Sequence, residues 1–374
     1  MRITILGGGP AGLYFAILMK RLDPSNQVRV FERNPRGSTF GWGVVFSSQT
    51  LTSLAQADPA SHAAITASFQ LWDNVDVVHR GQKVTIRGNR FAGIARLALL
   101  EILVERCYEL GVELEFGHEV IEIPDLAETD LLVGADGVNS RTREVFADTF
   151  KPQVEQAANH YIWLGTRRLF DGLTLTFRET VNGLYIAHSY KFSPELSTFI
   201  VECDPDSFAR AGFEDLDEQG TLRALEAVFA EDLEGHPLLS NHARWIRFVN
   251  VRNHNWYHPK VVLLGDALHT AHFSIGSGTK LALEDSIALA ECFGQNGSVS
   301  EALQDFATQR KPYVDAYQEI ANESREWFET AGERTHLQPI PMAFATMTRN
   351  AKVDLENLRQ RDPEFVERYL ATVS

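Results

Sequence analysis

The chain opens on an apolar run, Ile3-Thr4-Ile5-Leu6, that breaks at Gly7. Apolar residues then recur at helical spacing from Leu13 to Leu22 and alternate again in Val28-Arg29-Val30-Phe31. This pattern predicts strand, helix and strand within residues 1–35. A helical period also fills 93–110, where Ile94, Leu97, Leu100, Ile102, Leu103 and Cys107 make an apolar face and Gly111 supplies a stop. Short strands are expected at 113–116 and 119–123, and a buried one at 130–133. Residues 160–165, 173–177, 184–190 and 197–202 are rich in aromatic and β-branched side chains and read as strands. Helical spacing returns at 217–233, and 245–251 reads as a strand. Residues 260–264 form a fully apolar strand, followed by long helical patterns at 279–293 and 299–331. Past Gly332 the chain is punctuated by proline and then charged, with a helix expected over 352–370. Residues 37–50, glycine-rich and aromatic, read as a loop over a pocket.

Strands alternating with helices at both ends, around a block of consecutive strands, predict an α/β fold. We expect a Rossmann-like, discontinuous nucleotide domain at 1–155 and 255–335. An antiparallel β-sheet domain is expected at 156–254, and a C-terminal helical tail at 336–374.

Three motifs carry chemistry. In Gly7-Gly8-Gly9-Pro10-Ala11-Gly12, Gly7 permits a tight turn, Gly9 lets backbone approach a pyrophosphate, and Gly12 lets helix and strand pack closely. The helix start adds unpaired N–H groups. Glu32 ends the second strand 20 residues past Gly12, placed to accept hydrogen bonds from ribose hydroxyls, with Arg33 beside it. These residues define a dinucleotide site and fit a nicotinamide or a flavin cofactor alike. Asp136-Gly137 ends another apolar strand, at the sheet edge where α/β folds bind ligands; a strand–turn–helix junction capped by Ser140 fits equally well. Gly265-Asp266, with Gly276-Ser277-Gly278 opening a helix, has the form of an anion or ribityl site or of a plain α/β crossover.

Bulk composition narrows the setting. Hydrophobic content of 44% and charged content of 23% are those of a soluble globular protein, and no apolar run suits a membrane span. The first strand follows Met1 directly, which leaves no signal peptide expected. Cys107, Cys203 and Cys292 are far apart and lack metal-ligand spacing, so reduced thiols in a cytoplasmic protein are expected, with no metal. A net charge of −15 argues against nucleic-acid binding. Any polyanionic ligand then needs a local basic patch, for which Arg167, Arg168, Arg244, Arg247 and Arg252 are candidates, as they are for ordinary surface ion pairs.

In combination and order, the three motifs resemble the fingerprints of class A FAD-dependent aromatic monooxygenases, the p-hydroxybenzoate hydroxylase-like fold. The segments Phe40–Ser47, Trp163–Thr166, Ser197–Glu202 and Ala271–Lys280 resemble one branch in particular. That branch holds salicylyl-CoA 5-hydroxylase and the flavin domain of 2-aminobenzoyl-CoA monooxygenase/reductase, with the tryptophan-derivative hydroxylase of violacein synthesis more distant. The resemblance implies FAD, with the first motif at its ADP part, Asp136-Gly137 near the pyrophosphate, Gly265-Asp266 and Gly276 to Gly278 at the ribityl chain, and Arg96 at the phosphates. It implies NADH or NADPH as a transient co-substrate and O₂ activated as the flavin C4a-hydroperoxide. The substrate implied is a small aromatic molecule, foremost a 2-substituted benzoyl-CoA thioester hydroxylated at C5, with no nucleic-acid or membrane partner. The chain ends at Ser374, so the reductase half of the bifunctional relative is expected to be absent. Phe273 and Gly276-Ser277-Gly278-Thr279-Lys280 depart from the general family where the flavin ring would lie.

For catalysis, His272 in the turn after Gly265-Asp266 and His188 on an inner strand are candidates to meet the substrate's phenol or amine, since a histidine titrating near neutrality suits that task. Each also fits a hydrogen-bonded core histidine. Lys280 is a candidate to stabilise reduced flavin, or an exposed helix-start lysine. The same scaffold also accommodates a hydroxylase of a tryptophan- or indole-derived metabolite, or a flavin-dependent reductase.

Overall fold

The strand Arg2–Leu6 pairs in parallel with Gln27–Glu32 on one side and with Leu131–Gly134 on the other. In the computed structural model, which describes residues 1–123, 125–350 and 352–373 and only the backbone of 47–50, these belong to a six-stranded sheet. Glu113–Phe116 lies beyond Gln27–Glu32, while Val261–Leu263 and Tyr257–His258 lie beyond Leu131–Gly134. The chain leaves Arg2–Leu6 towards one side and returns later on the other. That makes the carboxyl end of this strand a topological switch point, where a crevice opens. Helix Pro10–Leu22 begins at that crevice, is buried from Pro10 to Met19, and packs between helices Arg96–Glu109 and Gly278–Gln295.

A second, eight-stranded sheet carries the other wall of the site. Strands Pro152–Thr166, Ser197–Cys203, Gly183–Lys191 and Leu173–Thr180 neighbour one another and pair antiparallel. The sheet is not confined to 156–254. It continues through Val75–His79, parallel to Leu173–Thr180, and Gln82–Ile86. Val75, Val77, Val84 and Ile86 are buried on alternate positions around Arg80-Gly81, both at positive φ, the geometry of a two-residue hairpin turn. That alternation was the available signal for the two strands.

Period-2 burial sorts the sheet's faces. Tyr185, Ala187, Phe199 and Val201 point to a core closed by Phe213, Leu225 and Phe229. Leu184, Ile186, Leu175 and Phe177 point the other way, towards Trp327, Phe328, Met342, Leu358 and Phe365. Residues 336–374 are therefore no loose tail. Helices Pro339–Met347, Leu355–Arg361 and Pro363–Val373 close this face of the sheet.

Other expectations shift locally. The helix expected from 93 starts at Arg96, because Phe91–Ala95 is a strand paired with Gly43–Ser47 and Gln70–Trp72. An apolar run of that length is ambiguous between helix and strand by periodicity. The predicted loop over 37–50 thus holds only to Trp42, and no strand forms at 119–123. The loop docks on the second sheet: Trp42 lies against Gly165, where an added Cβ would sit 2.6 Å from the indole. Tyr190 Oη donates to the Gly43 carbonyl at 2.8 Å, and the Gly43 N–H donates to Thr198 Oγ1 at 3.0 Å. No helix among the described residues is long and apolar enough to cross a membrane.

Candidate active site

The glycine turn is built by close approach. Gly7 has φ +111° and a Cβ there would fall 2.0 Å from the Ala135 carbonyl oxygen; one at Gly12 would fall 2.1 Å from that of Gly7. At Gly9 nothing lies within 4 Å of the Cβ position. The helix behind it has no side-chain cap and no acid in its first turn, so its leading N–H groups are available to an anion. Glu32 accepts from Gly8 N–H at 2.8 Å through Oε2 and from Asn34 N and Nδ2 at 2.8 and 2.7 Å through Oε1. Arg33 next to it is exposed.

Arg96, at the start of its helix, makes no side-chain hydrogen bond or ion pair among the described residues. Burial lowers its pKa, opposed by the charge of Asp266. Asp266 is exposed at the strand end yet flanked by protein; burial raises its carboxyl pKa, while Arg96 and His269 oppose this. A guanidinium with no hydrogen-bonded anion and only the charge of Asp266 near it, on a helix packed against Pro10–Leu22 with its uncapped N–H groups and an open glycine, fits the diphosphate of FAD. Asp136 is committed locally: Oδ1 accepts from Ser140 Oγ at 2.5 Å and Oδ2 from Thr142 N and Oγ1 at 2.9 and 3.1 Å. It shapes the turn that sets Ala135 against Gly7, and Gly137 follows with φ +81°. Arg143, not anticipated from the sequence, ties the second motif to the third by donating to the carbonyls of Val138 at 2.5 Å and Ala267 at 3.0 Å. Gly265, at φ +59°, lies against Ala11, so the third motif abuts the first; Gly276 faces Val45, and Gly278 has open space.

Close to Asp266 stands an aromatic wall. Tyr161, whose hydroxyl is pushed up to about 12 by burial with help from Asp266, packs at 4.7 Å on Phe273. Phe273 touches both candidate histidines, with ring centroids 4.2 Å from His272 and 5.4 Å from His188. His188 belongs to the same face as Ile186, and Glu202 is diagonal to it on the next strand, with Tyr161 directly opposite Glu202. The His188 Nε2–Glu202 Oε1 distance is 2.6 Å, and Asn159 Nδ2 donates to Glu202 Oε2 at 3.1 Å. Burial alone would raise the Glu202 carboxyl, but His188, His272 and Asn159 outweigh it and hold it below the usual range. Glu202 and Asn159 were missed because only the strand register reveals whom they face.

His272 does not titrate near neutrality as the sequence suggested. Burial, with His188, Arg325 and Arg349, drives its pKa to about 3 against the pull of Glu202, so the ring is neutral. Lys280 is buried rather than exposed, and its ammonium is engaged by its neighbours. Its ammonium donates to Tyr317 Oη at 2.7 Å and Tyr313 Oη at 3.1 Å, with Glu284 at 3.5 Å, because the helix Gly278–Gln295 turns this residue towards Val299–Glu329. Arg310 and His269 meet in the same region on Asp285, at 2.7 and 2.6 Å. Of the basic candidates, Arg168 pairs with Glu234 and Arg252 with Glu319, while Arg167 and Arg244 are exposed.

A nucleotide crevice at the switch point, joined through Tyr161 to a buried aromatic and histidine wall, defines an FAD-dependent monooxygenase. Residues 1–319 match the FAD binding domain family, and the chain belongs to it. It is 42% identical over 98% of its length to salicyloyl-CoA 5-hydroxylase of Streptomyces sp, covering 73% of that protein. To 3-hydroxy-4-methyl-anthranilyl-[aryl-carrier protein] 5-monooxygenase of Streptosporangium sibiricum it is 36% identical, covering 91% of each chain. To protodeoxyviolaceinate monooxygenase of Chromobacterium violaceum it is 35% identical, over 90% of this chain and 91% of that one. The fold is shared with 2-methyl-3-hydroxypyridine-5-carboxylic acid oxygenase at TM-score 0.73 and 18% identity, covering 96% and 98% of the two chains.

Proposed function

We propose that this monooxygenase hydroxylates a benzoyl thioester carrying OH or NH₂ at C2, foremost salicylyl-CoA, at the carbon para to that group. The observation that carries this reading is the 42% identity, over 98% of the chain, to salicyloyl-CoA 5-hydroxylase. A second relative is named for an anthranilyl group on a carrier protein, also a 2-substituted aromatic acyl group. FAD, reduced by NADH or NADPH and supplied with O₂, provides the electrophilic oxygen atom. Arg96 and the start of helix Pro10–Leu22 hold its diphosphate, Glu32 its ribose, and Asp266 with Gly276 and Gly278 its ribityl chain.

The chain's own part is to orient the ring, exclude water and handle one proton. Tyr161, Phe273 and Phe248, whose ring lies 4.9 Å from that of His272, wall the substrate. Glu202, held ionised, can only accept, so His188 donates through Nε2–H and presents Nδ1. Nδ1 takes the proton of the substrate's hydroxyl, which raises electron density at the para carbon. Arg167 and Arg244 stand free for the phosphates of the thioester. With Cys107, Cys203 and Cys292 all buried free thiols, the cytoplasm is the setting we assign.

The test is substrate-triggered NADH and NADPH oxidation with salicylyl-CoA, 2-aminobenzoyl-CoA, the free acids and an indole panel, with products identified by mass. The reading expects a hydroxylated thioester and rates for free acids at least tenfold lower. Equal rates with thioester and acid would overturn the thioester assignment, and hydroxylation of indoles alone would move the enzyme to the indole-derived class.

A further inference from the structure

The closing C-terminal helices bring a guanidinium into the site from behind. Arg349 lies just past helix Pro339–Met347 and stacks 5.3 Å over Phe328. Its Nη2 donates to the Ser274 carbonyl at 2.8 Å, its Nη1 to the Thr346 carbonyl at 2.8 Å, and its Nε to Ser324 Oγ at 2.8 Å. Ser324 is fully buried, and its Oγ lies 2.8 Å from Ser274 Oγ. Ser274 Oγ in turn lies 2.9 Å from His272 Nδ1, and the Ser274 backbone N–H points at the same nitrogen at 3.4 Å.

Donor logic gives this chain one direction. An arginine Nε has no lone pair to offer, so Ser324 Oγ is the acceptor there. The Ser274 backbone N–H aimed at His272 Nδ1 makes that nitrogen an acceptor, so the Ser274 hydroxyl hydrogen goes to it and the Ser324 hydrogen to Ser274 Oγ. Nδ1 faces two donors and must carry a lone pair. A neutral imidazole keeps its proton on the other nitrogen.

We infer that Arg349 is a positioning residue which, through Ser324 and Ser274, fixes His272 as the Nε2–H tautomer, a hydrogen-bond donor to the oxygen of the substrate's ring substituent or thioester carbonyl. The inference rests on the proposed reading that a substrate ring lies beside His272. Around His272, Glu202 pulls towards protonation, while burial, His188, Arg325 and Arg349 oppose it more strongly. Burial also lowers Arg349 itself, to about 10, so it stays a cation at working pH. The two histidines beside Phe273 thus have opposite duties: His188 offers a lone pair at Nδ1, and His272 offers a hydrogen at Nε2. Separate environments assigning complementary roles to like residues is a recurring device in acid–base sites.

The test is two-bond ¹H–¹⁵N NMR of the FAD-loaded protein with labelled histidine, His272 being assigned by its loss in His272→Asn. Wild type is expected to show an unprotonated Nδ1 and a protonated Nε2, unchanged through the neutral pH range. Ser274→Ala, Ser324→Ala and Arg349→Met are expected to give mixed tautomers. They should lower kcat with the accepted thioester by roughly tenfold, the scale of one hydrogen bond, with FAD content and KM near wild type. A protonated Nδ1 in wild type would overturn the inference, as would a pure Nε2–H tautomer with unchanged kcat in Ser274→Ala. Should Arg349→Met fail to fold, Ser324→Ala interrupts the same relay with little change in volume. The tautomer is read without substrate, so failure of every thioester would sink the substrate assignment and leave this result standing.

Discussion

Replacing Arg96 by methionine should act in opposite directions on the FAD-free and FAD-bound protein. In the FAD-free state the guanidinium has no hydrogen-bond partner among the described residues and only the charge of Asp266 to offset its desolvation. Leaving buried donors unsatisfied costs about 1–3 kcal/mol. Arg96 is part-exposed to the cavity, so we take the lower end, about 1 kcal/mol. Asp266, left without its cation, is already raised by burial and can take up a proton rather than remain a buried charge. FAD-free Arg96→Met should therefore melt about 1 °C higher than FAD-free wild type. With FAD the sign reverses. A charge-assisted bond to a diphosphate is worth about 1.5–3 kcal/mol, or a loss of roughly 10- to 150-fold in FAD affinity. The assay is thermal unfolding of the protein with and without FAD, beside a fluorescence titration of the stripped protein with FAD. A lower melting point of FAD-free Arg96→Met, or a Kd change below about threefold, would refute the reasoning.

Three further outcomes can be checked separately. Asp58 is fully buried, caps helix Pro59–Ala67 through Ser61, and takes Arg21 at 2.5 Å and Arg106 at 3.0 and 3.1 Å. Burial raises its carboxyl pKa, but Arg106 and Ser61 outweigh this and hold it low, so its stabilisation is present above the ordinary carboxylate pKa and is lost as pH falls through the depressed one. With both arginines partly hydrated, Asp58→Ala should cost about 2–4 kcal/mol in denaturant unfolding at pH 7. Asp58→Asn should cost less, because the cap survives; equal losses would mean that the cap contributes nothing, and an unchanged Asp58→Asn would mean that the ion pairs contribute nothing. Lys280→Met should lower the melting temperature but move the flavin reduction potential by less than about 30 mV, since its ammonium is held by Tyr317 and Tyr313. A larger shift would return Lys280 to the flavin. Gly165→Ala would force the Trp42 indole off the sheet, and kcat/KM for the accepted thioester should fall by roughly tenfold or more with FAD content unchanged. Retained kcat/KM would detach the 37–42 loop from substrate binding.

The nucleotide end of the site was legible because its chemistry is local. Gly7, Gly9, Gly12 and Glu32 sit at spacings set by one strand–turn–helix–strand unit, and short-range geometry alone dictates them. Strands at 75–79 and 82–86 were less so, since two hydrophobic positions each make a weak alternation, and the hairpin they form joins the sheet through a strand about a hundred residues on. The C-terminal helices looked like a tail because their apolar residues, Met342, Leu358, Phe365 and Val366, gain meaning only against the face of a sheet formed elsewhere.

Catalytic roles were the least legible part, and the two histidines show why. Residue type made His188 and His272 equivalent, and an ordinary histidine pKa made each a candidate base. What separates them is a strand register that sets Glu202 diagonal to His188, and a turn that sets Ser274 on Nδ1 of His272. On the proposed reading, a carboxylate on one ring nitrogen makes His188 an acceptor at the other. A hydroxyl relay anchored by a cation turns His272 into a neutral donor. Ser274 is only two residues from His272, but what gives both contacts their meaning is distant: Glu202 is 14 residues from His188, and the Ser274 relay is completed by Ser324, 50 residues further on. On the proposed reading, a substrate ring beside them would meet a lone pair from His188 and a hydrogen from His272, an asymmetry that distinguishes a group losing a proton from an oxygen gaining charge. Swapping the two environments, and not the histidines, is what would be needed to reverse the roles.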